Sequence, residues 1–356
     1  MAARYRVGII AGGLIAQGAH LRAYRQIPDV EVVAVADLSE EVRQKWTGEL
    51  GVPNAYATAE ELLERERPEI VSICTWPPLR PEMTELACAR GVKAIVAEKP
   101  MAVDLAGCDR MIAAAERSGV VLIVHHQRRF RSRFVKAREL IDAGAIGDVA
   151  QVGVFNSGGD LLTSSSHMVD VMRYLLHDPP AEWVIGQIDR RPQERKNAPV
   201  GYQQWEETHT RYGHHVESGA LGLVQFRGGA RGQIEVGNVC RARPSYSAVV
   251  YGTEGVIETS GDSLEPGEAW LRARLKGERD WTYPDAPPNE ATQAAFEALL
   301  RVLEDGGTHP LDMHAAREVH EILLAVYESA RRRARIDLPL TGSENPLEAM
   351  IAAGAV

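Results

Sequence analysis

The sequence predicts an α/β protein in two parts: a doubly wound parallel sheet over residues 1–125, then a second α/β domain with antiparallel strands over residues 126–356. Three observations carry this prediction. Apolar runs of strand length alternate with helical segments as far as Val124, a glycine-containing turn follows the first run, and beyond about residue 150 short apolar stretches follow one another without helices. The 356 residues exceed the usual domain of roughly 100–200. A composition of 45% hydrophobic and 25% charged residues suits an ordinary globular chain with a sizeable core.

The first elements set the expected chemistry. Arg6–Ile10 forms a short apolar run, Ala11-Gly12-Gly13-Leu14-Ile15-Ala16 turns the chain, Gln17–Arg25 has helical composition, and Glu31–Ala36 is a second run ending in Asp37. Strand, glycine turn, helix, strand and terminal acid make a dinucleotide-binding unit. Glycine lets the backbone approach a pyrophosphate, the helix start offers unpaired N–H groups, and the acid takes ribose hydroxyls. Asp37 follows Gly13 by 24 positions, near the expected spacing of about 20. In register with G-x-G-x-x-G/A, Ala11 occupies the first glycine position while Gly13 and Ala16 fit, so Gly13, Leu14, Ile15 and Asp37 are cofactor-binding candidates. The carboxylate of Asp37 would repel a 2′-phosphate, and Leu38-Ser39-Glu40 offers no basic residue in its place, which favours NAD over NADP. Arg4 and Arg6 before the apolar stretch Val7–Ala16 also resemble a signal peptide, but the glycines favour the nucleotide reading.

The alternation continues with a helix over Glu60–Glu66, a strand over Glu69–Thr75, a helix over Pro81–Arg90 closed by Gly91, and a strand over Val92–Ala97. A helix over Leu105–Ser118 and a strand over Val120–Val124 complete this part. Ligands of such sheets bind beyond the carboxyl ends of the strands. Asp37, Thr75-Trp76-Pro77-Pro78 and Glu98-Lys99-Pro100 all fall there, which makes Thr75, Trp76, Pro77, Glu98 and Lys99 cofactor-side candidates. In the second part the runs are Gln151–Asn156, Trp183–Ile188, Gly219–Arg227, Gly232–Asn238, Ser247–Gly252 and Val256–Ser260, followed by amphipathic helices over Ala291–Glu304 and His314–Arg333. A polar loop over Arg190–Glu207 is expected to border a substrate cleft.

From Arg6 through Glu98-Lys99-Pro100, the stretch Ile141–Val149, Ser166-His167-Met168-Val169-Asp170, Tyr251-Gly252-Thr253-Glu254-Gly255 and Leu338-Pro339-Leu340, the sequence resembles the Gfo/Idh/MocA family of oxidoreductases. The order and spacing of these motifs, more than any one of them, carry the resemblance. It implies a Rossmann domain followed by an α/β domain with an open, mostly antiparallel sheet. It also implies that Lys99 sits beside the nicotinamide and stabilises charge on the reacting oxygen, and that His167 accepts or returns the hydroxyl proton. A cis peptide before Pro100 is a further expectation of the resemblance.

Three residues depart from the family pattern. Ala11 replaces a glycine. Thr163 stands where an aspartate commonly precedes this histidine by four positions, so the acid of the dyad is lost; Thr163 can still hydrogen-bond a substrate hydroxyl. Asp160 and Asp170 are the nearby carboxylates that could orient His167. Arg80 stands near a position that often holds histidine, and Trp76 either walls the nicotinamide site or packs under its loop. His167 begins a helix expected to reach Leu176, with Ser164, Ser165 or Ser166 as its N-cap. Met168, Val171, Met172 and Leu175 form the apolar stripe of that helix, while His167, Asp170 and Tyr174 lie on another face.

Forty basic against forty-nine acidic residues leave a net charge of −9, which disfavours a nucleic-acid partner despite the cluster Arg128, Arg129, Arg131 and Arg133 with its interleaved Phe130 and Phe134. Arg129 is instead a substrate-side candidate. His125 and His126 are adjacent on a strand and point to opposite faces, so no metal is expected. Cys74, Cys88, Cys108 and Cys240 form no C-x-x-C pair and suit a reducing cytoplasm. No apolar run approaches the roughly 18 residues of a membrane helix. The family resemblance further implies that one face of the second sheet makes a homodimer or homotetramer.

The activity that the resemblance implies is an NAD-dependent dehydrogenase moving hydride between nicotinamide and a secondary hydroxyl or ketone of a sugar, polyol or glycoside. Two alternatives use the same scaffold. One is NAD-assisted glycoside elimination or hydrolysis without net redox, and the other is a non-catalytic sugar- or nucleotide-sensing regulator.

Overall fold

The computed structural model describes residues 4–157, 159–190, 209–237, 239–240, 245–260 and 270–356. The expected cleft-bordering loop over Arg190–Glu207 therefore falls, from residue 191 onward, outside the described residues. Two compact units are present. The first comprises residues 1–102, 106–127 and 290–317, and the second comprises 103–105, 128–289 and 318–356. The segment 290–317 thus returns to the first unit, which a single division between residues 125 and 126 does not capture.

In the first unit β1 (Tyr5–Ile10), β2 (Val30–Ala36), β3 (Asn54–Tyr56), β4 (Ile70–Ile73), β5 (Ala94–Ala97) and β6 (Val121–Val124) form a parallel sheet in the order β3-β2-β1-β4-β5-β6. Every residue of β4 and of β5 is buried, as expected of parallel strands covered on both faces, so their sequences are continuous apolar runs. The Ala59–Glu66 helix is capped by Thr58, whose hydroxyl accepts from the Glu61 N–H, and the Glu40–Gly48 helix by Ser39, which accepts from Val42. The expected Gln17–Arg25 helix is instead a wide-turned π-helix over Ala16–Leu21 continuing as one α-turn over Arg22–Tyr24. His20 lies in the wide turn and is fully buried.

In the second unit β7 (Val149–Asn156), β8 (Ala181–Asp189), β11 (Gly219–Phe226), β12 (Arg231–Gly237), β13 (Ser247–Gly252), β14 (Val256–Ser260), β15 (Trp270–Arg274) and β16 (Ile336–Asp337) form one sheet. Its order is β15-β14-β13-β7-β12-β11-β8-β16. A separate hairpin pairs β9 (Thr210–Arg211) with β10 (His214–His215). The sheet is mostly antiparallel, as expected, and β7 and β12 form its one parallel pair among the described residues. The chain between them contains the Ser166–Leu175 helix and β8 and β11, long enough for the crossover that parallel pairing requires. The two loop ends that meet Asn156 and Val236 are brought together by this pairing.

One face of this sheet packs on the Ser166–Leu175 helix and on the later part of the Met313–Arg332 helix. Gly186 of β8 is what lets the second of these approach. A Cβ there would lie 2.7 Å from Val326 Cγ1 and 2.9 Å from the Val326 Cα, so the backbone of the helix itself closes the space. The opposite face leaves Ile185, Leu221, Leu223 and Tyr251 partly exposed.

Gly186→Ala is expected to destabilise the protein by about 1–3 kcal/mol through overpacking. The check is thermal melting, where each kcal/mol lowers Tm by about 2–4 °C in a domain of this size. An unchanged melt would refute the close-packing account.

Candidate functional site

The polar groups of the first unit gather at the carboxyl ends of its strands. At the end of β1, Ala11 adopts φ +71°, the left-handed backbone for which the first glycine of the turn is ordinarily used. Gly12 follows, buried, and a Cβ on it would stand 2.5 Å from Trp46 Nε1. The Trp46 indole N–H donates to the Gly12 carbonyl at 2.8 Å. Trp46 is one of only two apolar side chains in the charged Glu40–Gly48 helix, so this short helix anchors the turn. Gly13 has open space where a Cβ would be, and Leu14 and Ile15 are exposed at 80% and 43%. Asp37, at the end of β2, faces the same turn. Its Oδ2 accepts from the Gly12 N–H at 2.8 Å and its Oδ1 from the Ser39 N–H at 2.9 Å.

Thr75 follows β4, and its buried hydroxyl has no hydrogen-bond partner among the described residues. An open glycine turn, an acid placed against it and an unmatched hydroxyl at the next strand end suit a dinucleotide. Trp76 is half exposed and so is not packed under its loop, while Pro77 is buried. Arg80 is buried and serves the backbone: its guanidinium donates to the Thr75 carbonyl at 2.8 Å and to the Pro100 carbonyl. The residue at the family's histidine position thus ties together the two loops that flank Lys99. The Lys99–Pro100 peptide is cis, as the resemblance implied.

Glu98 is the group that sequence inspection placed but did not explain. Its Oε1 accepts from His20 Nε2 at 2.9 Å and from His125 Nδ1 at 2.7 Å, and all three side chains are buried. Burial alone would raise the Glu98 pKa, but the hydrogen bonds and charges of His125 and His20 outweigh it and hold the carboxyl well below its ordinary value. Burial opposes protonation of His20, yet Cys74 and Glu98 together raise its pKa. These partners are 27 and 78 positions from Glu98. The signal for them was the strand pattern itself, since Glu98 and His125 each directly follow a paired strand end.

In the second unit the segment from Asp160 to Ser166 is buried. His167 occupies the first turn of the Ser166–Leu175 helix and is 4% exposed. Ser165 is the N-cap residue but its side chain does not cap; its hydroxyl accepts from Asn156 Nδ2 at 3.1 Å instead. The helix is buried on more than its apolar stripe, because His167 and Asp170 are enclosed as well. Arg129 donates through Nε to Asp170 at 2.7 Å and through both terminal nitrogens to Asp178 at 2.7–2.8 Å. Burial pushes the Asp170 carboxyl up to about 6 even with Arg129 beside it. Arg129 and Asp170 are therefore engaged with each other in an internal ion pair.

Thr163 meets a residue not anticipated from the sequence: His214 of β10, whose Nε2 lies 3.1 Å from Thr163 Oγ1. Asp160 accepts from the Thr163 N–H and from Arg211 at 2.8 Å. Burial would raise the Asp160 pKa, but Arg211 outweighs it and the net shift is downward. Glu217 accepts from the Leu161 N–H at 2.6 Å and from the Tyr327 hydroxyl at 2.5 Å. Burial, together with the nearby Asp160, pushes Glu217 up to about 7. Of these two buried acids only Asp160 is paired with an arginine, and Glu217, which is not, keeps its proton to higher pH.

This has a measurable sign. Glu217 holds its proton more tightly in the folded chain than in the unfolded one, so its contribution to stability is full below about 4.5 and is lost as pH rises to about 7. Glu217→Gln mimics the protonated acid and is expected to remove up to about 1.4 kcal/mol per pH unit of that slope. Melting of both forms across pH 4.5–8 checks it, and parallel curves would contradict the assignment.

Comparisons with known proteins bear on the family and the fold. Residues 5–126 match a family described as "Oxidoreductase family, NAD-binding Rossmann fold", and residues 153–258 match the GFO/IDH/MocA C-terminal domain. D-apiose dehydrogenase of Paraburkholderia graminis is 28% identical over 99% of this chain and 95% of its own length. Myo-inositol 2-dehydrogenase of Thermotoga maritima is 29% identical over 50% of this chain and 56% of its own. Among solved structures, levoglucosan dehydrogenase in complex with NADH and levoglucosan superposes with a TM-score of 0.79 at 18% identity, covering 94% of this chain and all of that one. With both of these family matches, the chain belongs to the Gfo/Idh/MocA family of NAD-binding oxidoreductases.

Proposed function

We propose that the protein is an NAD-dependent dehydrogenase that interconverts a secondary hydroxyl and a ketone on a sugar or polyol. The observation that carries this reading is the position of Lys99 directly after Glu98 at the end of β5, next to the β4 end that bears Thr75, in a sheet whose glycine turn and Asp37 suit NAD. Dehydrogenase names among the relatives support net redox chemistry over elimination, hydrolysis or sensing. The nicotinamide, when bound, accepts hydride from the carbinol carbon or returns it to the ketone. Gly13, Leu14 and Ile15 would line the pyrophosphate, and Asp37 the adenosine ribose. Thr75, Trp76 and Pro77 would lie along the nicotinamide half.

In this assignment the Lys99 ammonium stabilises the negative charge that builds on the substrate oxygen. His167 takes the hydroxyl proton on oxidation and gives it back on reduction. Thr163, held by His214, offers a hydroxyl to the substrate in place of a carboxylate. Arg129, Asp160 and Asp170 support this region through their ion pairs. The exposed apolar side chains Ile185, Leu221 and Leu223 are assigned to a contact with a second copy of the chain, and the free cysteines to a reducing cytoplasm.

Nicotinamide absorbance in the presence of inositols, aldoses and anhydro-sugars tests the reading, which fails if no compound changes it although NAD binds. Lys99→Ala is expected to lower kcat/KM by at least about 100–1,000-fold, with the NAD dissociation constant within a few-fold of the unaltered protein. Light scattering should give a mass of two or four chains; a monomer at micromolar concentration would remove the assigned contact.

A further inference from the structure

Both chain neighbours of Lys99, Glu98 and Pro100, are tied down by buried side chains. The final pairs of β4, β5 and β6, Ile73 with Ala97 and Ala97 with Val124, are in register. Cys74, Glu98 and His125 therefore follow as a row across three strand ends. Glu98 Oε1 accepts from both His20 and His125, which leaves Oε2 to accept from the backbone N–H of Lys99 at 3.2 Å. On the far side, Arg80 grips the carbonyl of Pro100.

The cluster is itself braced. His20 Nδ1 lies 3.0 Å from Ser72 Oγ, which lies 2.8 Å from the Tyr24 hydroxyl. Phe296 stacks on Tyr24 at 4.4 Å between ring centres and meets both histidines at 5.4 Å. These contacts run as one chain from Tyr24 through Ser72 and His20 to Glu98. A carboxylate enclosed in this way is costly to bury, and an apolar side chain would hold a strand end without that cost. What an apolar side chain cannot supply is an acceptor for the Lys99 N–H. The same three residues also offer ligand atoms within 4.8 Å of one another. Their separations of 2.7 and 2.9 Å are those of direct hydrogen bonds.

We propose that Glu98, carried by His20 and His125, is a positioning residue that fixes the Lys99 backbone and thereby aims the Lys99 ammonium at the reacting oxygen. The proposal rests on the role of Lys99 given above. Glu98→Gln keeps the shape and an acceptor for the histidines but turns an amide N–H toward the Lys99 N–H. In the full chain it is expected to lower kcat about 10–100-fold, with substrate KM and the NAD dissociation constant little changed.

A double-mutant cycle separates positioning from general damage. In single-turnover measurements, Glu98→Gln should lose this 10–100-fold when Lys99 is present and less than twofold when Lys99→Ala is also present. An equal loss in both backgrounds, or no loss with Lys99 present, overturns the proposal. If Lys99→Ala by itself has no effect, the reading of Lys99 fails instead. A second readout needs no turnover. In protein labelled with ¹⁵N-lysine, the Lys99 amide signal, identified by its absence in Lys99→Ala, should move upfield in Glu98→Gln; an unmoved signal would also overturn the proposal. Zinc content that falls from one per chain to none on Glu98→Gln would replace the hydrogen-bonded account with a metal site.

Discussion

A parallel sheet covered on both faces has no room for charge along its strands, so its chemistry is confined to the strand ends. In this protein that constraint converges on one buried carboxylate. Glu98 ends β5, and both histidines that satisfy it come from distant parts of the same unit, one from the wide turn after β1 and one from the end of β6. Without these two donors an enclosed carboxylate would be untenable by several kcal/mol. With them, the ends of β4, β5 and β6 are locked in register, and the loops bearing Thr75 and Lys99 are held from a common base.

The second unit solves a related problem differently. Among its buried acids are Asp160 and Glu217, and only the first is paired with an arginine, Arg211 of the β9 strand. Arg211 claims Asp160, and Glu217 settles against Tyr327 and the Leu161 N–H with its proton retained toward neutral pH. The hydroxyl of Thr163 joins the same region through His214. An acid absent from position 163 is thus matched by two acids close by, and the hydroxyl that remains has a fixed partner.

Much of this was legible in the amino-acid order. The runs Ser247–Gly252 and Val256–Ser260 are strands with those bounds, because alternating or continuous apolar residues between turn formers carry a local signal. The Glu40–Gly48 helix was not visible, since only Val42 and Trp46 in it are apolar and its role is to lodge one tryptophan under the glycine turn. The short strands β3 and β16 had too few residues for a pattern, and in β15 the buried Leu271 and Ala273 are interrupted by Arg272. The parallel pairing of β7 with β12 was hidden because pairing is decided by the path of the chain between strands.

Among functional residues, position and type were readable while partnership was not. Glu98, Lys99, Asp37 and His167 could be named from motif order. That Glu98 meets His20 across 78 positions, or Thr163 meets His214 across 51, depends on tertiary packing. Arg129 illustrates the reverse case: a basic cluster beside aromatic residues suggested ligand contacts, and the structure engages it with Asp170 and Asp178. The most direct measurement of the account as a whole is isotope tracing with a polyol deuterated at its carbinol carbons. The account predicts one deuterium at nicotinamide C4 for each ketone formed; ketone or other product formed while the label stays on carbon or passes to water would contradict it.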